Sequence, residues 1–545
     1  MRESKPNKPI EKHHCPPQSF GNQQKTKLNG QTKQTCKNEI GELVLSREKL
    51  LELTRSNLEK IADYAEDGPL PLADDIYRVP TANYYDPGRW ESEMELIFKR
   101  LPLVLGFTSE VPKKGDYKAL DVAGVPLIMV RGKDGRVRGF VNMCSHRGAQ
   151  IVDEGLGNKR SFSCPYHAWT YDLTGELIAI LDEQDFGEVD ASCLGLTPIN
   201  IEEKVGIIWG CITPGIELHL DAFLAGYDDL LANHDLENCV FVGQQTLMGP
   251  NWKVAFDGYI DFYHLPILHK NTFGSQYNNK SIFNHWGPHQ RVVAPDHRLT
   301  ELLDLPEENW SETRLLSGVW TIFPNISIAS FYVGDRSSGG VIMQISQLLP
   351  GDNPDTSFTH QMYFAKFEPD EKHMELINTQ KELNRYVVAE EDYFTGNRIQ
   401  KTVKTGAKTH FIFGPRCSSK DASSGPCRQN LEFDLGFSAA SVDLDNDGID
   451  DVLVRVEHEL VCGAGDCFVV DILLGGDIAS VKAGRFGPRN IYVSDKTKHG
   501  LKYIYYDAVC TPKFEPEVCN FYMLEPTSSE SYSSAILVEK GRKVE

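Results

Sequence analysis

The stretch CSHRGAQIVDEGLGNKRSFSCPYHAW, residues 144–169, is where the fold of this chain can first be read. It holds Cys144-Ser145-His146, then seventeen residues, then Cys164-Pro165-Tyr166-His167. Each short segment brings one thiolate and one imidazole. Gly148, Gly155, Gly157 and Pro165 supply turn chemistry, so each pair is expected in a loop. The flanks are β-rich. VPLIMVRGKDGRVRGFVN (125–142) reads as a hairpin about Lys133-Asp134-Gly135. AWTYDLTGELIAI (168–180) reads as another, turning at Leu173-Thr174-Gly175. Residues 102–215 are therefore expected to form a small antiparallel β domain.

Two Cys and two His offered as C-x-H and C-x2-H suit a particular cofactor. Thiolates are soft ligands and imidazoles neutral ones. A [2Fe–2S] cluster with two Cys on one iron and two His on the other is the Rieske arrangement, and its His ligands raise the potential. Structural zinc also takes Cys2His2. Its usual spacing pairs Cys with Cys and His with His, whereas here each loop brings one of each. The iron–sulfur reading is preferred, with Cys144, His146, Cys164 and His167 as ligands.

A hundred residues on comes Asn251-Trp252-Lys253, then DGYIDFYHLPILH (257–269). Its core is Asp261-x2-His264-x4-His269. On a regular helix the two histidines would stand about 140° apart. Pro266 lies between them and breaks or kinks the helix, so His269 can swing back. Two histidines need one carboxylate to complete the facial triad of non-heme Fe(II) oxygenases. VAEEDYFTGNRIQ (388–400) reads as a helix and offers Glu390, Glu391 and Asp392. Residue types alone do not choose among the three.

The order C-x-H, C-x2-H, D-x2-H-x4-H and EED-x7-Q resembles the large (α) subunit of Rieske non-heme iron ring-hydroxylating oxygenases, over residues from about 80 to 414. The resemblance implies an α+β fold: a Rieske domain, then a helix-grip-like catalytic domain. It implies that His264, His269 and Asp392 bind a mononuclear Fe(II), with Glu391 next in line. Asp261 would bridge His167 of one subunit to His264 of the next, carrying electrons, which implies a head-to-tail homotrimer, with or without a β subunit. Substrates of the family are small organic molecules oxidised with O2. An aromatic substrate is expected; the alternative is a quaternary amine that is demethylated. No G-x-G-x-x-G follows a strand, so electrons are expected from a separate NAD(P)H-dependent reductase or ferredoxin. Trp286, Phe283, Phe323 and Tyr332 are candidates for a pocket wall, though such residues are commonly plain core.

Length and composition frame the remainder. With 545 residues the chain can hold several domains. Its net charge of −21 argues against nucleic acid or anionic lipid as a partner. No run of 18 apolar residues suggests a membrane span. The opening MRESKPNKPIEKHH lacks an apolar signal stretch, so a cytoplasmic location is expected. Residues 1–40 read as disordered and 41–101 as a helical lead-in, with helices over 46–67 and 89–101; 216–415 read as the catalytic domain. Residues 416–545 depart from the family and read as a β-rich extension. There Asp443, Asp445, Asp447 and Asp451, with Gly448, form a candidate Ca2+ loop; Val454 at position twelve excludes an EF-hand. Cys462 and Cys467 would suit a disulfide. A calcium-binding secreted interaction protein is thus the third reading.

Overall fold

The structure is a computed structural model. It describes residues 76–413 except 188, 278, 296 and 335–338, the helix Thr32–Asp63, and the backbone of strands between 436 and 543. The chain divides into two compact units. One comprises residues 99–203 and 207–218 with the first 44; the other comprises 45–98, 204–206 and 219–545.

The first unit is antiparallel β. A five-stranded sheet runs in the order Pro198–Ile199, Val137–Val141, Val125–Arg131, Asp116–Val122, Gly155–Asn158. The hairpin 125–142 forms as expected, with Leu127 opposite Val141 and Arg131 opposite Val137. Gly135 adopts φ 79°, open to glycine at little cost, and Arg138 pairs with Asp134 across the turn. The second hairpin is shorter, Thr170–Tyr171 against Leu177–Ala179. Asp172 shapes its turn by accepting hydrogen bonds from the amides of Thr174 and Glu176. Ile128, Val130, Phe140, Phe162, Trp169 and Tyr171 form the core. Cys144 and Cys164 belong to that same buried cluster, so hydrophobic burial holds both ligand loops.

The second unit is built on a seven-stranded antiparallel sheet. Its order is Val240–Gly249, Ser357–Ala365, Gly340–Pro350, Ile326–Val333, Val319–Ile322, His289–Val293, Ile282–Trp286. Helix Trp252–Ile260 packs on one face; Ala255, Phe256 and Ile260 meet Leu247, Leu348, Val388 and Tyr393. Asn251 caps that helix by accepting the Lys253 amide. Helix Glu371–Tyr386, capped by Asp370, leads into a π turn at Val387–Asp392 and on into Tyr393–Val403. The 388–400 helix is thus interrupted by one wider turn.

The lead-in is less helical than the sequence suggests. Tyr77–Pro80 is a strand, zipped antiparallel to His410–Phe413. Pro80 ends it, and Asp86 then caps Pro87–Glu93 by accepting the Arg89 amide. A π turn, Met94–Phe98, closes that helix early, so the helix expected over 89–101 splits. The first helix is Thr32–Asp63, which begins within the segment read as disordered. Beyond 413, the described strands form two four-stranded antiparallel sheets and one two-stranded sheet. Asp443, Asp445, Asp447, Gly448, Cys462 and Cys467 lie outside the described residues, and Asp451 opens a strand whose side chains are likewise outside them. Among the described residues no helix is long and apolar enough to cross a membrane.

Candidate metal centres

The two Cys loops of the β unit are built alike. The Cys144 amide donates to the Ala149 carbonyl, and the Cys144 carbonyl accepts from Gly148. The Cys164 amide donates to the Trp169 carbonyl, and the Cys164 carbonyl accepts from Ala168. In both loops the fourth residue after the cysteine is left-handed: Gly148 at φ 72° and Ala168 at φ 57°. Both cysteines are buried. The rings of His146 and His167 lie 4.6 Å apart, and His146 stacks on Trp169 at 4.8 Å. The Nδ1 atoms of both histidines are buried with no hydrogen-bond partner. An orphaned buried acceptor or donor is costly, and metal ligation relieves it. Two thiols and two orphaned imidazole nitrogens therefore fit a [2Fe–2S] cluster.

Reading motifs alone missed Tyr171. Its hydroxyl accepts the Ser145 amide at 3.0 Å, which leaves its proton free for Cys144 Sγ at 3.2 Å. Burial and the Cys144 contact push its pKa up to about 12, so it stays a donor. Ser145 Oγ donates to the Gly195 carbonyl and ties the loop down.

In the other unit, His264, His269 and Asp392 converge. His264 Nε2 and His269 Nε2 are 3.2 Å apart. Asp392 Oδ1 lies 3.5 Å from the first and 3.2 Å from the second. Three ligands about 2.1 Å from one ion, at 90–110°, would stand about 3.0–3.4 Å apart. Among the described residues this is the sole cluster of three such groups around a common point. The backs of both rings are also turned to carboxylates. His269 Nδ1 donates to Glu391 Oε2 at 2.8 Å, and Thr272 Oγ1 donates to the same oxygen. His264 Nδ1 faces Asp261 Oδ2 at 3.6 Å. A protonated Nδ1 leaves Nε2 with a lone pair for metal, and the carboxylate behind orients the ring. The donor set fits a divalent iron with open positions.

Local sequence explains the convergence. Helix Trp252–Ile260 ends at Asp261, whose side chain accepts the Tyr263 amide and starts a short turn, Phe262–His264. Pro266 then restarts the chain as Leu265–Leu268, and His269 follows. Phe262 and Leu265 anchor this segment on Val292 and Ala294. The π turn brings both Glu391 and Asp392 to the cluster, in different roles, while Glu390 is exposed. Burial works against a charge on His264, but Asp261 and Asp392 outweigh it and raise its pKa to about 9. The same histidines hold Asp392 below the usual carboxylate range despite its burial. Of the aromatic candidates, Phe283 packs beside the Phe262–Leu265 cluster. Trp286 stacks on Tyr227, on the opposite sheet face from Phe283. Phe323 is buried, and Tyr332 is largely exposed. Thr272, and Phe273 stacked on His269, carry no motif that would have found them.

Two buried cysteines with two half-buried histidines, and a separate two-histidine, one-carboxylate cluster, are the pair of metal sites that the motifs led one to expect. Residues 102–188 match the family described as Rieske [2Fe-2S] domain, and residues 236–421 match Ring hydroxylating alpha subunit (catalytic domain). Over these two regions the chain carries a Rieske domain and a catalytic domain of the ring-hydroxylating α-subunit type. It is 31% identical over 234 residues to the glycine betaine monooxygenase oxygenase subunit of Chromohalobacter salexigens, covering 40% of this chain and 51% of that one. It is 33% identical over 187 residues to the biphenyl 2,3-dioxygenase subunit alpha of Rhodococcus jostii, covering 33% and 41%. The chain thus spans about half the length of the curated relatives it matches. Its fold resembles the quaternary ammonium Rieske monooxygenase CntA in complex with L-carnitine, with TM-score 0.53 and 21% identity over 66% of this chain and 95% of that one.

Proposed function

We propose that this chain is the terminal oxygenase component of a multi-component enzyme. It would use O2, and electrons from a separate NAD(P)H reductase or ferredoxin, to hydroxylate a small organic, aromatic substrate. The observation that carries this is the meeting of His264, His269 and Asp392, each histidine backed by a carboxylate. When bound, the iron supplies O2 activation and the cluster supplies single electrons. The chain's own residues do the rest. His264, His269 and Asp392 would hold the iron. Glu391 holds the proton on His269 Nδ1, and Thr272 fixes Glu391. Asp261 spends one oxygen on the Tyr263 amide and turns the other towards His264. Its carboxylate is 46% exposed, which suits a bridge to His167 of a neighbouring copy and a head-to-tail homotrimer.

Iron and acid-labile sulfide in anaerobically purified protein test the reading. The expected ratio is three irons to two sulfides per chain, falling to two irons in His264→Ala. Two irons in the unsubstituted protein would leave an electron carrier instead. Asp261→Asn should keep every iron and the trimer mass in light scattering, yet lose turnover with an added reductase. Undiminished turnover would remove Asp261 from the electron path.

A further inference from the structure

The seven-stranded sheet carries an unusual inner face. Strand register places Gln245 opposite Gln361, Gln361 opposite Ser346, Ser346 opposite Ser327, Ser327 opposite Thr321 and Thr321 opposite Gln290. This is one continuous cross-strand row of polar side chains, on one face. Gln361, Ser346, Ser327, Thr321 and Gln290 are all buried. A sheet face under helices ordinarily buries apolar residues, because an unsatisfied polar group there is costly.

The face belongs to the iron site. Two positions along from Gln290 and Thr321, Val292 and Val319 lie against Phe262 and Leu265, the residues flanking His264. Further along the row, Tyr259 packs on the cluster of Leu348 and Val388, and its hydroxyl is buried without a hydrogen-bond partner. Within the row, Gln245 Nε2 donates to Gln361 Oε1 at 2.8 Å and Gln344 Nε2 donates to Ser346 Oγ at 3.0 Å, while Gln361 Nε2 is buried without a partner. Gln290 Oε1, towards the sheet edge, is likewise buried without a hydrogen-bond partner. His285 stands opposite Gln290, and the apolar Phe283, Val292 and Val319 lie two positions along the same strands. A buried acceptor without a partner, next to an apolar wall, is the complement of an amphipathic molecule.

We propose that this row is a recognition strip, and that the substrate joins an apolar, ring-sized body to a neutral N–H or O–H donor that meets Gln290. Plain hydrocarbons would leave the Gln290 oxygen unpaired and be rejected, as sites built for a hydrogen bond reject analogues lacking it. Thr321, whose hydroxyl donates to the Gln290 carbonyl, positions the strand beneath. The proposal rests on the oxygenase reading above.

Anaerobic calorimetry on the iron-loaded full chain tests it, with benzamide, benzyl alcohol and toluene as probes. Benzamide or benzyl alcohol should bind at least about tenfold tighter than toluene. Gln290→Met, similar in volume, should cut that preference below about threefold with the iron count unchanged. Thr321→Val should weaken the preference too, and carries the test should Gln290→Met not fold. Toluene binding as well as the polar probes, no probe binding, or an undiminished preference in the variant would overturn the strip. An iron count short of three would sink the oxygenase reading instead, and the two failures are told apart on the same sample.

Discussion

One side chain stands behind a candidate ligand in each of the two centres: Tyr171 behind Cys144 and Glu391 behind His269. The Tyr171 hydroxyl points its proton at Cys144 Sγ. A hydrogen bond to a cluster sulfur favours the more negative, reduced state, so Tyr171→Phe should lower the Rieske reduction potential while iron and sulfide stay bound. Protein-film voltammetry reads this directly; an unchanged potential would make Tyr171 only a packing residue. Glu391 stands behind His269 in the same way. Glu391→Ala should weaken mononuclear iron by about 10–100-fold and leave the cluster untouched. Equilibrium dialysis against ferrous iron separates the two, since only one of three irons should leave. The Cys and His residues of the first centre, and both histidines of the second, were visible as spacings in the chain. The choice between Glu391 and Asp392 was not, because it turns on a π turn one residue wider than a regular helix. Tyr171 was hidden because its partner lies 27 positions away.

At the scale of elements, the helix that delivers Asp261 is clamped by the lead-in. Glu93 accepts from the Trp252 indole at 3.0 Å and from Lys253, and Arg89 joins it at 2.9 Å. Glu93 and Lys253 are buried. Removing one partner leaves a buried, unpaired charge, so Glu93→Ala should destabilise the fold by about 3–5 kcal/mol. Chemical denaturation followed at Trp252 gives the number, and a loss below about 1 kcal/mol would show that water reaches the gap. Nothing local announced this clamp, whose members are separated by 160 positions. Asp257, on the same helix, adds a pH dependence. Burial pushes its carboxyl up to about 7, against the Tyr84 hydroxyl and Lys253, which favour its charge, and together with Asp261, which opposes it. A raised acid binds its proton more tightly folded than unfolded. Its contribution is therefore greatest below the unfolded pKa of about 4 and is lost as pH rises to about 7. Denaturation midpoints of Asp257→Asn should lack the decline between pH 5 and 7 that the unsubstituted chain shows.

For the whole molecule, two compact units divide the chemistry, with the cluster ligands on one and the mononuclear site on the other. The sheet of the second unit has its apolar and polar halves set by strand register, a property that no single strand displays. That is why a chain read strand by strand yields a fold class but not the Gln290 row: alternate residues must first be lined up across six strands.

The twin loops around Cys144 and Cys164 carry a last consequence. They share a backbone path, not a sequence: the amide, the carbonyl and the left-handed fourth residue recur, while the histidine shifts by one place. They act as the two jaws of a vice. A vice tolerates new facings on its jaws but not a jaw of altered reach. Variation by substitution is thus open at the positions of 144–149 and 164–169 that neither ligate nor take the left-handed turn, whereas insertion or deletion of even one residue there would unseat the grip. The connection from 150 to 163 makes none of those loop bonds and is held instead by the sheet, through Gly155–Asn158, and by the buried Phe162.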